Sequence, residues 1–136
     1  MTDKAISYVA ILDNNNVPQY TFNNEDSKLS VDLQLVMFSS LDYFDILRQT
    51  GDSTGGYLGS ANVGDDIYYN YGHVFGSRLK VIIINKNFQF TDKDRPELKR
   101  ITSTIHELFI NDRLNPLKDS PGVSENFDRQ LLEFLK

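Results

Sequence analysis

The run Val81-Ile82-Ile83-Ile84 places the strongest constraint on what this chain can fold into. Four β-branched residues in succession favour an extended strand, and with no polar residue among them both of its faces are apolar. A strand over Leu79 to Asn85 built this way belongs inside a sheet that is covered on each side. The rest of the chain must then supply neighbouring strands and helices for two faces.

The periodicity elsewhere meets that demand. Ala5 to Leu12 is rich in β-formers, Val17 to Phe22 alternates Tyr20 and Phe22 with polar neighbours, and Asp13 to Asn16 supplies turn residues between them. Together they predict an opening β-hairpin whose second strand lies at a sheet edge, because Pro18 cannot donate to a ladder. From Lys28 to Thr50 the spacing becomes helical, with Leu29, Leu33, Val36, Met37, Ser40, Phe44 and Leu47 on one face and Gly51 as a left-handed cap. A short strand around Tyr57 to Ala61 and a connection through Asn62 to Asp65 follow. The alternation over Ile67 to Phe75 predicts a strand with Ile67, Tyr69, Tyr71, His73 and Phe75 on one face. Gly76-Ser77-Arg78 turns the chain into the apolar strand.

A second helix is expected from Asp94, as a capping side chain, with Pro96 and Glu97 in its first turn. Its apolar stripe is Leu98, Ile101, Ile105, Leu108 and Phe109. Asn115-Pro116 breaks the chain before a last helix capped by Ser124, with Phe127, Leu131, Phe134 and Leu135 on one side. The order ββαβββαα describes an α+β fold, a five-stranded antiparallel sheet between one helix and two helices. With 136 residues the chain fits one domain, residues 1–136.

Composition narrows the chemistry. The absence of cysteine excludes disulfides, thiolate nucleophiles and sulfur-ligated zinc, and His73 and His106 are too few for a histidine-rich metal site. A net charge of -5 and a pI near 4.9 oppose nucleic acid and anionic membrane surfaces as partners. The apolar run Ala5 to Leu12 is too short to span a bilayer, and Asp13 with the asparagines after it offers no signal-peptidase site. The chain therefore reads as soluble and intracellular, without direct membrane insertion.

The first helix carries a second apolar group. Wrapped at about 100° per residue, Val31, Leu35, Phe38 and Ile46 fall roughly opposite the core stripe, with Asp42 among them and Asp45 beside it. A helix with one sheet to cover needs one stripe. The second is covered either by another part of the chain or by a partner protein. Apolar residues rimmed by carboxylates have the make-up of a docking face, in which burial gives affinity and charge sets register.

The same region resembles a known family. Ser40-Leu41-Asp42-Tyr43-Phe44-Asp45 is similar to the S/A-L-D-x-x-D stretch in the first helix of the sedlin family, small subunits of the TRAPP vesicle-tethering complex. Three further stretches follow in the family's order. They are Tyr57-Leu58-Gly59, then Tyr71-Gly72-His73-Val74 leading through Arg78-Leu79-Lys80-Val81, and Asn115-Pro116-Leu117 followed by Ser124 and Phe127-Asp128. Leu117-Lys118 departs from the Phe-Tyr pair common at that place, and Gly51 to Gly56 forms a looser connection than usual. Tyr57-Leu58-Gly59 points to the sedlin-like branch.

The resemblance implies a longin fold and a non-enzymatic role in ER–Golgi and intra-Golgi transport. It implies other TRAPP subunits as partners, Rab GTPases only indirectly through the complex, and peripheral association with Golgi membranes by the same route. Within it, Asp42 and Asp45 are expected as polar determinants of partner binding, with Val31, Leu35, Phe38 and Ile46 as apolar anchors. No catalytic residue, cofactor or metal is expected. Other longin-type readings are a coat-adaptor small chain and a SNARE, although a SNARE needs a heptad helix after the domain and the sequence stops at Lys136.

The remaining motifs favour structural roles. The glycine-rich stretch 51–64 lacks the Lys-Ser/Thr ending of a phosphate loop and leads from a helix into a strand, the reverse of the required order. Asp65 and Asp66 point to opposite faces on entering a strand. Asp13 and Asn15 lack the glycine and closing glutamate of a calcium loop. Asp92 and Asp94 fit a helix start, where the dipole favours negative charge. His73 and His106 fit packed positions, and Ser39 and Ser40 have no nucleophile-elbow glycines around them.

Overall fold

A computed structural model of the chain describes residues 6–24, 27–42, 55–75, 78–87, 94–114 and 125–135. Its strands are β1 (Ile6–Leu12), β2 (Pro18–Asn23), β3 (Gly55–Val63), β4 (Asp66–Val74) and β5 (Lys80–Lys86). Its α-helices among the described residues are α1 (Ser30–Ser39), preceded by a 3-10 turn at Ser27–Leu29, α2 (Arg95–Arg113) and α3 (Glu125–Leu135). The strands form one antiparallel sheet in the order β2-β1-β5-β4-β3. The architecture is the expected longin-like α+β arrangement.

β5 lies at the centre between β1 and β4, where Val81, Ile82, Ile83 and Ile84 are all fully buried. Their alternation divides the core in two. Val81 and Ile83 join Val9, Ile11 and Tyr71 under α2 and α3, where Leu98, Ile101, Ile105, Phe109, Phe127 and Leu131 pack. Ile82 and Ile84 join Tyr8, Ala10, Leu12, Leu58 and Tyr68 under α1, which contributes Leu33, Val36 and Met37. Each Val, Leu, Ile, Met or Phe side chain among them contributes roughly 1.5–3 kcal/mol by leaving water.

Two strands change parity to keep this division. Ile6 packs with Val9 and Ile11 although it lies three residues from Val9, and Leu58 packs on the same side as Ala61, again three residues on. A register shift falls in each gap, between Ile6 and Tyr8 and between Tyr57 and Ser60. The extra residue of a bulge moves the rest of the strand's side chains to the opposite face. Gly59, at φ 97, absorbs the second irregularity, a backbone region costly for residues with a Cβ.

The turns follow their side chains. Asp13 Oδ1 accepts hydrogen bonds from the Asn15 and Val17 amides at 2.8 and 2.9 Å and closes the first hairpin as an Asx turn. Pro18 sits at the start of β2, which is an edge strand as its proline predicts. β3 and β4 are joined through Gly64-Asp65, with Val63 opposite Asp66 and Gly64 at φ 62. This two-residue loop makes β3 longer than the segment predicted from Tyr57 to Ala61.

Two expectations are corrected. The helix predicted unbroken from Lys28 to Thr50 is interrupted, because α1 ends at Ser39 and Ser40 forms a turn before Leu41 and Asp42 resume helical geometry. The Ser40 amide bonds to the carbonyls of Met37 and Phe38, and its hydroxyl donates to the Met37 carbonyl at 2.5 Å, so a core-facing serine tightens the last turn. The second correction concerns Asp94, which precedes α2 in helical geometry and makes no side-chain capping bond. The predicted caps at Gly51 and Ser124, the Asn115-Pro116 break and Asp92 lie outside the described residues.

Candidate docking face on the first helix

Six of the ten residues of α1 are Val, Leu, Met or Phe, so the helix is apolar nearly all round. Helices of that kind are normally covered on every side. Among the described residues this one is covered on one side only. Leu33, Val36 and Met37 seal the sheet, with Ser40 buried in line with them, while Val31 and Leu35 are 65% and 62% exposed. Their spacing of four makes them neighbours on the helix surface, so they form one outward ridge. Asp32 and Gln34 beside them are exposed as well.

The predicted site residues fall into three groups. Val31 and Leu35 form the ridge, and Asp42 is exposed beyond the turn at Ser40. Phe38 is half-buried and packs on the core beneath α1, so its area is divided between core and surface. Asp45 and Ile46 lie outside the described residues, so their placement beside Asp42 on this face stays an expectation. Because the helix is interrupted at Ser40, the angular position of Asp42 no longer follows from uniform winding from Val31.

One feature of the face was not singled out from the sequence. An open groove of about 480 Å³ runs between α1 and the end of β3, lined by Asp32, Leu35, Val36 and Ser39 on one side and by Ala61 to Gly64 on the other. Neither wall signals the groove alone. It arises because the sheet order sends β3 to the edge on the side that α1 covers.

The opposite layer holds the two histidines. Phe75 lies parallel to the His106 ring with centroids 4.1 Å apart and 7° between planes, and contacts His73 at 4.6 Å, so the three rings bridge the end of β4 to α2. Burial pushes the His73 imidazole below its ordinary range, with Lys99 and then His106 adding to the effect. His106 is also lowered by burial, partly opposed by Glu107. Neutral rings suit this stack. At the other end of β4, Asp66 is held structurally, by Lys86 at 3.5 Å and by a hydrogen bond from Asn87 Nδ2 at 2.9 Å.

Among the described residues no group of three or more His, Asp or Glu side chains converges as a metal would require, and no helix is long and apolar enough to cross a membrane. The fold and the half-covered helix thus define a small α+β protein of longin-like architecture. Its sequence matches the Sedlin family from residue 11 to residue 136, and the chain belongs to that family.

No curated protein matches the chain closely enough to count as a relative. Solved structures with a similar course include a Roadblock/LC7 domain from Streptomyces avermitilis, at 9% identity and a TM-score of 0.45, covering 78% of this chain and 87% of that one. Another is MglB of Myxococcus xanthus, at 17% identity and a TM-score of 0.42, covering 78% of this chain and 85% of its own.

Proposed function

We propose that this chain is a non-enzymatic subunit of the TRAPP tethering assembly, of the sedlin-like branch, and that it docks to neighbouring subunits through the outer face of α1. The observation that carries the reading is the pair Val31 and Leu35, 65% and 62% exposed on a helix whose other side is sealed into the core. Exposed leucine and valine side by side, with Asp32 next to them and Asp42 exposed beyond the turn, match the apolar centre and charged rim of a protein interface. Family membership supports the choice of assembly. In this role the protein helps to assemble or stabilise the larger TRAPP form, which activates Rab GTPases and promotes ER–Golgi and intra-Golgi transport. It reaches Golgi membranes through that complex.

The test is affinity purification of the full chain with identification of what accompanies it. TRAPP subunits are expected with the native sequence. They should be lost with Val31→Glu plus Leu35→Glu, and with Asp42→Tyr, while unfolding stays cooperative. Recovery of coat-adaptor large chains, or of TRAPP subunits undiminished by these substitutions, would overturn the reading.

A further inference from the structure

We infer that Ser39 is the site of a regulatory phosphate, placed on the free chain by an acid-directed protein kinase, and that this phosphate keeps partner subunits off the outer ridge of α1. The consequence for partners rests on the docking role proposed for α1, whereas the modification rests only on the surroundings of Ser39.

Acid-directed kinases recognise a hydroxyl followed three residues later by a carboxylate, which pairs with basic groups in the kinase cleft. The sequence has that spacing at three places, Ser39 with Asp42, Thr91 with Asp94 and Thr104 with Glu107. Thr91 lies outside the described residues, and the structure separates the other two. Thr104 is half-buried inside α2, with its hydroxyl donating to the Arg100 carbonyl at 2.9 Å and unbroken helix on both sides. A kinase takes its substrate extended, so it would have to unwind that helix against its packing. Ser39 is exposed and is the last residue of α1, a turn follows at Ser40, and Asp42 is exposed beyond it. Helix ends fray, so this segment extends at small cost. Ser40 itself is buried and has Tyr43 at the third place.

The position also determines what the phosphate does. Val31, Leu35 and Ser39 are spaced by four, so Ser39 continues the exposed ridge by one turn. Its hydroxyl donates to the Val36 carbonyl at 2.7 Å. Phosphoryl transfer from ATP joins Ser39 Oγ to the terminal phosphorus, breaks the bond from that phosphorus to the ADP oxygen and passes the hydroxyl proton to the kinase base. The bond to Val36 is lost with that proton. About 1.5 to 2 negative charges take its place. They stand at the negative end of the helix dipole, near Asp42 and next to the apolar area of Leu35. A partner covering the ridge would have to strip water from the phosphate, so the modification opposes docking. A docked ridge hides Ser39, which is why the kinase acts before assembly.

Casein kinase II, an acid-directed enzyme, should transfer one phosphoryl group from ATP to the purified full chain, located at Ser39 by fragmentation mass spectrometry. Ser39→Ala should abolish the transfer, Asp42→Asn should slow it about tenfold, and Thr104→Ala should leave it unchanged. Used as bait in extract with phosphatase inhibitors, the phosphorylated chain should recover about tenfold less of the TRAPP subunits than the unmodified chain. Phosphatase treatment of the bait should restore recovery, and kinase-treated Ser39→Ala should match the unmodified chain.

Phosphate found only at other hydroxyls, or no transfer to the native chain, would overturn the inference. Undiminished recovery of TRAPP subunits by the phosphorylated bait would overturn it as well, with the assignment to that assembly intact. Loss of coat-adaptor chains on phosphorylation, with TRAPP subunits absent from both baits, would remove the assembly and keep the site.

Discussion

At the level of single residues, the ring stack and the first turn make opposite kinds of demand. His73 and His106 are both held below their ordinary range, chiefly by burial. As pH falls through about 6.5 the unfolded chain takes up protons that the folded chain still refuses. The stability they contribute is fully present above that pH and is lost as pH falls on through the lower folded values. Urea midpoints should therefore drop between pH 7.5 and 5.5, and drop less in a His73→Phe, His106→Phe double variant, which keeps three rings but nothing to titrate. An equal drop in the two proteins would show that other groups cause it. Asn16 occupies a left-handed conformation at φ 64, and its side-chain oxygen accepts from the ammonium of Lys80, which is only 6% exposed. Asn16→Ala should cost about 1–3 kcal/mol in denaturant unfolding, because alanine resists that backbone region and the lysine loses an acceptor.

At the level of elements, α1 is one helix with two kinds of surface, and substitution should separate them. Leu33→Ala removes a fully buried side chain and should cost about 2–5 kcal/mol, whereas Val31→Ala, on the exposed ridge, should stay within about 0.5 kcal/mol. Comparable losses at the two sites in urea unfolding would mean that the ridge is covered within the chain. The inner stripe of α1 was legible in the sequence because Leu33, Val36 and Met37 repeat at helical spacing. β5 was legible because four β-branched residues leave no solvent face. The stop at Ser40 was not, since a serine in the core-facing position fits the periodicity and ends the helix only through a bond back to Met37. The groove was not legible either, because Asp32 and Asn62 are thirty residues apart and meet only through the order of the strands.

At the level of the whole molecule, the order β2-β1-β5-β4-β3 joins two local hairpins through a strand made after both. Ile6 pairs with Asn85, and the contacts that unite the sheet are among the most distant in the sequence. Closing such long loops before any reward slows folding, so refolding should occupy milliseconds to seconds. A microsecond phase accounting for the full signal in stopped-flow experiments would contradict it. The same arrangement matters during synthesis. As the chain leaves a ribosome, β1 emerges with seven residues destined for burial, about seventy residues ahead of the strand that will shield its open side. Until that strand appears, the nascent protein displays an apolar ribbon with one edge open to mispairing, so the interval before residues 80–86 emerge is when it is most exposed to aggregation.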